Sequence, residues 1–193
     1  AALPADERLF WAVIISCTMT TLVALALAAA GQYTFRRLLA VDLALAAILI
    51  AVARAKLGYT GTAARPSWTT VLPAALIALG AYLYFPSSEY VMGGKDPGTY
   101  MNEGIQIAQR GSLAIHDPAL AAVPEEFRSM FLSGAPEEIE QGLHQGVRFM
   151  GFFVADASRG EVMGQFPHAF PAWIAVAYGL DGLSGARRAV GAW

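Results

Sequence analysis

Lys95, Asp96 and Tyr100 stand close together in the string Gly93-Gly94-Lys95-Asp96-Pro97-Gly98-Thr99-Tyr100. An ammonium, a carboxylate and a phenol are the group types that hold an anion or move a proton. Each also has a plainer reading. Asp96 is placed to cap a helix whose first position is Pro97, since a short carboxylate accepts the free N–H groups and proline needs no donor there. That helix is expected to run to about Arg110 and stop at Gly111. Tyr100 reads first as packing. Glu103, seven residues beyond Asp96, shares its helix face and reads as a solvated acid. His116 beside Asp117-Pro118 reads as a loop residue, His144 as a surface one, and His168 as an interfacial one. Glu89, Glu103, His116, Asp117 and His144 offer oxygen or imidazole ligands for a divalent cation, but no spacing singles out a metal. Cys17 is the sole cysteine, which excludes an intrachain disulfide framework and a Cys-cluster zinc site.

The elements that must position these groups belong to an unusual chain. It has 193 residues, 56% hydrophobic and 15% charged, against about 25% charged in an ordinary soluble domain. That balance excludes a disordered chain and a typical cytosolic enzyme. The net charge of −2 carries no basic footprint, so no nucleic-acid partner is expected. The charge is unevenly spread: residues 1–85 carry +3, residues 86–165 carry −6 and residues 166–193 carry +1. Two apolar, mildly basic regions thus flank an acidic insert.

A membrane-crossing helix needs roughly 17–25 mainly apolar residues. Residues 10–30 form a first such run without a charge, and residues 38–53 a second, bracketed by Arg36-Arg37 and by Arg54 and Lys56. Residues 68–85 form a third, with Trp68 at one end and Tyr82, Tyr84 and Phe85 at the other, as interfacial belts require. A fourth begins at Phe166 and is interrupted by Pro171, Gly179, Asp181 and Gly182. The expected fold is therefore mainly α, with about four transmembrane helices: three in residues 1–85, an insert at 86–165, and a fourth helix with the start of a further segment at 166–193. Lys and Arg in short loops favour a cytoplasmic N-terminus, with Arg8, Arg54, Lys56, Arg65, Arg187 and Arg188 inside against Arg36 and Arg37 outside. The insert is then extracytoplasmic. Asp42 and Asp181 lie near span ends, where reaching water or pairing with Arg36, Arg37, Arg187 or Arg188 is the expected state.

The insert carries repeated helix punctuation. Asp117-Pro118 repeats the cap signal, and Pro124-Glu125-Glu126 and Pro136-Glu137-Glu138 each open a short helix with acids at the positive end. Residues 142–165 read as a β-hairpin, with Val147–Val154 as one strand, a turn at 156–160 and Glu161–Gln165 returning. Short amphipathic helices joined to spans suggest a lid along the membrane surface.

The string Gly94-Lys95-Asp96-Pro97-Gly98-Thr99-Tyr100, with Gly104-Ile105-Gln106-Ile107-Ala108 and Gly111-Ser112-Leu113 after it, resembles the first extracytoplasmic loop of polytopic GT-C glycosyltransferases. The nearest resemblance is to the family grouping lipid-A and lipooligosaccharide sugar transferases with protein O-mannosyltransferases. Gln165-Phe166-Pro167-His168 with Pro171-Ala172-Trp173 resembles the start of the membrane helix after that loop. The resemblance implies a bacterial inner (cytoplasmic) membrane protein that transfers a sugar from a polyprenyl-phosphate donor to an acceptor at the outer face. It implies that Asp96 is the general base on the acceptor hydroxyl, a role suited to a carboxylate near an apolar interface. A lipid-phosphate leaving group needs positive charge, for which Lys95, Arg110 and Arg148 are candidates by charge and location. Lys95, Tyr100, Arg148 and His168 are the expected substrate-binding residues, with a divalent cation as an optional cofactor. Such transferases use more spans than this chain supplies, so the chain is expected to be the N-terminal portion of one. The alternative is a shortened, non-catalytic scaffold packed among other membrane subunits through its Ala/Gly faces.

Overall fold

In the computed structural model, residues 5–54, 68–86, 95–128, 147–149, 151–156 and 158–192 are described. The chain is mainly helical: α1 (Ala5–Ala29), α2 (Phe35–Ala53), α3 (Trp68–Tyr84), α4 (Lys95–Arg110), α5 (Pro118–Ala121), α6 (Glu125–Arg128) and α7 (Ala169–Ala192). Strands β1 (Ala114–His116), β2 (Val147–Phe149), β3 (Phe152–Asp156) and β4 (Glu161–Gly164) form one sheet in the order β1-β4-β3-β2, with antiparallel pairing throughout.

α1 and α2 make a tight helical hairpin. Gln32 N–H bonds the Leu27 carbonyl at 2.8 Å and Gly31 N–H the Ala28 carbonyl at 3.0 Å, which closes the end of α1. Thr34 then caps α2 by accepting the Arg37 N–H at 3.2 Å. Between the helices, Thr20 Oγ1 donates to Asp42 Oδ2 at 2.9 Å. Asp42 therefore bonds across the helix pair instead of reaching Arg36 or Arg37, and it lies about 10 Å inside α2, deeper than expected. The hairpin turn is tied to the end of α4: Tyr33 N–H bonds the Gly111 carbonyl at 3.0 Å, and Leu113 N–H bonds the Ala28 carbonyl at 3.2 Å.

α4 ends as its sequence dictates, with Arg110 in the last turn and Gly111 beyond it. Its beginning differs by two residues from the expectation. The helix already includes Lys95, so Asp96 sits in the first turn and is not the cap. There it still favours the helix through the dipole.

α4 and the first half of α7 lie side by side and run in the same direction. Tyr100 meets Phe166 and Phe170, Gly104 meets Pro171 and Ile174, and Gln109 Nε2 donates to the Tyr178 hydroxyl at 3.0 Å. The contact at Gly104 is close enough that a Cβ there would sit 2.6 Å from Ile174 Cβ. Ala24, Ala28, Leu38, Ile107, Ala172 and Ala175 fill the core between α1, α2, α4 and α7. α7 is not one straight helix. Asp181 (φ −145°, ψ 31°) and Gly182 (φ 54°, ψ −140°) reverse it, so that Gly185 returns against the Ala177 carbonyl and Ala186 and Ala189 pack with Met101 and Ile174. Arg188 pairs with Asp181 at 3.0 Å, as expected of that acid.

Glu7–Ala29 is the one helix among the described residues long and apolar enough to cross a membrane. α2 carries Arg36, Arg37 and Asp42, the apolar stretch of α3 is shorter (Val71–Tyr84), and the fourth run turns back at 181–182. Four full spans are thus more than the described helices display by length and composition. Even so, α2 and α3 expose their apolar side chains: Leu43 is 70% exposed, Val52 80%, Ile77 72% and Tyr82 79%.

The hairpin is as expected between β3 and β4, with Val154 opposite Val162. The single strand expected over Val147–Val154 is instead two, β2 and β3, which break at Gly151 (φ 96°) and pair with each other. β1 was not foreseen and completes the far edge. Asp117 caps α5 as expected, accepting the Ala119 and Leu120 N–H groups at 2.9 and 3.1 Å. α6 opens at Glu125-Glu126 as expected; the helix foreseen at Pro136 lies outside the described residues.

Two substitutions test this packing. Gly104→Ala forces α4 and α7 apart and should lower stability by about 1–3 kcal/mol, read as a lower melting temperature in detergent micelles. Tyr33 is 2% exposed and its hydroxyl has no partner among the described residues, so burial pushes its pKa up to about 12. Tyr33→Phe removes an unsatisfied buried hydroxyl and should hold or raise the melting temperature.

Candidate functional site

The residues singled out in the sequence separate into three groups. Tyr100 and His168 lie where the N-terminal half of α4 meets the entry to α7, and Asp96 shares that face of α4 by its spacing. Asp96 is exposed on the first turn. Tyr100, one turn on, lies between Phe166 (ring centroids 5.0 Å apart) and Phe170 (5.4 Å, edge-on). His168 reaches α4 at Glu103, where its Nδ1 meets Glu103 Oε1 at 2.5 Å.

Other candidates lie elsewhere. Arg110 is at the opposite end of α4, about 20 Å along the axis from Asp96, and does not belong to this site. His116 Nδ1 meets the Arg159 carbonyl at 2.7 Å and Asp117 is committed to its cap, both at the outer edge of the sheet. The third group is Glu89, His144 and the side chains of Lys95 and Arg148, which lie outside the described residues.

Glu103 corrects the sequence reading. It is not a solvated acid: it is 1% exposed. Thr99, Glu103 and Ile107 follow one another at steps of four on the buried side of α4. Spacing to Ile107 was the available signal; the polar side chain obscured it. The end of β4 closes over the carboxylate. Gly164 lies so near that a Cβ there would run into the Glu103 carboxylate, so a larger residue would shift that side chain. Oε2 has no hydrogen-bond partner among the described residues.

A buried carboxylate beside an imidazole has a definite electrostatic effect. The hydrogen bond to Glu103 raises the His168 pKa above its ordinary value, partial burial of the ring opposes this, and the negative charge of Glu103 adds to the rise. When protonated, the ring donates Nδ1–H to Glu103 and keeps Nε2–H as a second donor. His168 keeps 24% side-chain exposure, and Nε2 meets no partner among the described residues. The arrangement can therefore present a fixed cationic donor to an anion, with an exposed carboxylate further up the same helix face. Among the described residues no group of three His, Cys, Asp or Glu side chains is placed to hold a metal ion.

The pH response has a definite sign. Because the folded-state pKa of His168 is raised, the pair stabilises the fold fully below the unfolded value of about 6.5 and loses that contribution as pH rises through the folded value. The melting-temperature gap between wild type and His168→Gln should be largest near pH 6 and should narrow towards pH 9, measured in one detergent at fixed ionic strength. A gap that is flat or widens with pH contradicts the charged pair.

No family model, curated protein or solved structure matches the chain.

Proposed function

We propose that the chain is the N-terminal membrane portion of a glycosyltransferase that takes a sugar from a polyprenyl-phosphate donor at the extracytoplasmic face of a bacterial inner membrane. One observation carries this reading: the two separate strings that resemble GT-C transferases meet where Tyr100 packs on Phe166 and Phe170, and His168 bonds Glu103 one turn further along α4, on the helix face that Asp96 shares by its spacing. Nothing in either string alone requires that contact.

The spacing along that face suits the reaction. Asp96 and the Glu103–His168 pair are separated by seven residues, about 10 Å along the helix. An inverting displacement needs a base at one end and a cation at the other. Between them lie a hydrogen bond of about 2.8 Å at each end, a near-attack gap of about 3 Å, and the bonds from the sugar carbon to the phosphate. Such a chain of atoms spans roughly the same distance. Asp96 takes the proton of the acceptor hydroxyl as its oxygen attacks the sugar carbon. The carbon–oxygen bond to the phosphate breaks, its electron pair stays on the lipid phosphate, and the His168 imidazolium neutralises the charge that develops there. Tyr100, held between two phenylalanines, offers an aromatic face and a hydroxyl beside the path.

Placement in a bilayer is supported by the helix surfaces. α1 is long and apolar enough to span, and the exposed aliphatic side chains of α2 and α3 form a larger apolar surface than water tolerates on a monomer. In this reading α2 and α3 accompany α1 in the membrane. The bonds from the α1–α2 turn to residues 111 and 113 put that turn and the end of α4 on one side, which agrees with an N-terminus in the cytoplasm and residues 86–165 outside.

The test is sugar transfer from a polyprenyl-phosphate-linked sugar by membranes carrying the full-length protein. Asp96→Asn should lower the rate by about 10²–10⁴-fold, the usual worth of a general base, with expression and melting temperature unchanged. Wild-type rates in that variant would remove Asp96 from the chemistry. Absence of transfer by wild type with any such donor would leave the non-catalytic scaffold as the better reading.

A further inference from the structure

Of the two acids on α4, Asp96 is exposed and Glu103 is buried. The Glu103 carboxylate has one partner, the imidazole of His168 at 2.5 Å, while its second oxygen has none among the described residues. Stability does not explain such a pair. Removing a carboxylate from water costs several kcal/mol, and an apolar pair of similar volume holds a core as well or better. The end of β4 nevertheless lies directly on this carboxylate, since a Cβ at Gly164 would run into it. β4 then leads within four residues to His168 itself. The same strand end that seals Glu103 thus delivers its partner. The His168 side chain itself remains partly exposed, and its Nε2 is not the atom bonded to Glu103.

We propose that Glu103 is the positioning residue of a lipid-phosphate site: it fixes the His168 ring and keeps it cationic, so that Nε2–H donates to the phosphate ester of a polyprenyl phosphate. This rests on the transferase reading above for the identity of the ligand. The raised pKa of His168 agrees with it. Asp96, Tyr100 and Arg110 on α4, and Tyr178, Asp181, Arg187 and Arg188 on α7, are the other titratable or charged groups described on the packed helices, with Arg110 at the far end of α4. Asp181 is occupied by Arg188, Tyr178 accepts from Gln109, and the end of β4 contributes Gly164 and Gln165, which carry no charge. Glu103 is the one described carboxylate bonded to the ring.

The experiment uses the full-length protein in detergent, with farnesyl phosphate as the probe and inorganic phosphate as the control. The chain has three histidines, so the ring signals of labelled histidine can be titrated by NMR and His168 assigned from His168→Gln. In Glu103→Gln the His168 pKa should fall towards about 6.5. Affinity for farnesyl phosphate, compared at a pH between the two measured His168 pKa values, should drop about tenfold or more, the worth of a charge-assisted hydrogen bond. Near pH 5.5, where the ring is protonated in either protein, the two affinities should agree within about threefold. Glu103→Gln combined with His168→Lys restores a cation that needs no carboxylate, and should recover binding across that range. This second variant also serves if Glu103→Gln alone folds poorly.

An unmoved His168 titration in Glu103→Gln overturns the positioning role. A titration that falls while affinity stays constant at every pH shows a merely structural pair and overturns the site. Inorganic phosphate bound as tightly as farnesyl phosphate overturns the lipid part of the assignment. If wild type transfers no sugar yet binds farnesyl phosphate with this dependence on Glu103, the site stands and the transferase reading falls, so the two failures are distinct.

Discussion

The close approach of α4 to α7 at Gly104 sets the geometry of everything around it. With no side chain at that position, Ile174 and the Pro171 carbonyl come down onto the α4 backbone. Helix axes this close bring their flanking side chains into direct contact, which is how small residues act at packed membrane helices. One turn towards the N-terminus the result is the Tyr100–Phe166–Phe170 cluster; one position before the glycine it is the Glu103–His168 pair. A wider separation would dissolve both. The reversal at Asp181–Gly182 reinforces the seam, because it returns Ala186 and Ala189 to the same pair of helices.

The site joins two kinds of environment along a single helix face. At its outer end Asp96 is in contact with water, and at its inner end Glu103 is sealed by protein. A low dielectric strengthens the interaction between Glu103 and His168 and equally penalises either partner alone. The pair is thereby held as a unit, and its one uncommitted donor is directed by the strand that covers it. Charge placement of this kind, fixed before any ligand arrives, is the general basis of electrostatic stabilisation at a reacting phosphate.

Much of this was legible in the residues. Gly111 after Arg110, Asp117 before Pro118 and the alternation through Val162 each act locally, and each produced its expected element. The interruptions at Gly179, Asp181 and Gly182 likewise marked the place where the fourth apolar run turns back. What sequence could not supply were partnerships across distance. Glu103 and His168 are 65 positions apart, and a glutamate on a mixed helix face carries no sign of burial until the covering element is known. Thr20 and Asp42 show the same limitation: the threonine that occupies Asp42 lies on another helix. β1 was missed because three residues hold no period, and its pairing with β4 alone defines it.

The backbone bonds between the α1–α2 turn and residues 111 and 113 have a consequence for how the protein is made. α1 and α2 are consecutive, their hairpin is closed by local bonds, and it leaves the ribosome before α4 and α7. Its inner surface, Ala24, Ala28 and Leu38, is then a finished floor onto which Ile107, Ala172 and Ala175 are laid later. Contacts between neighbours in sequence form before distant ones because less chain must be ordered to make them. The order of synthesis is therefore also the order of assembly, and the Glu103–His168 pair closes only after that floor is in place, when residue 168 reaches residue 103.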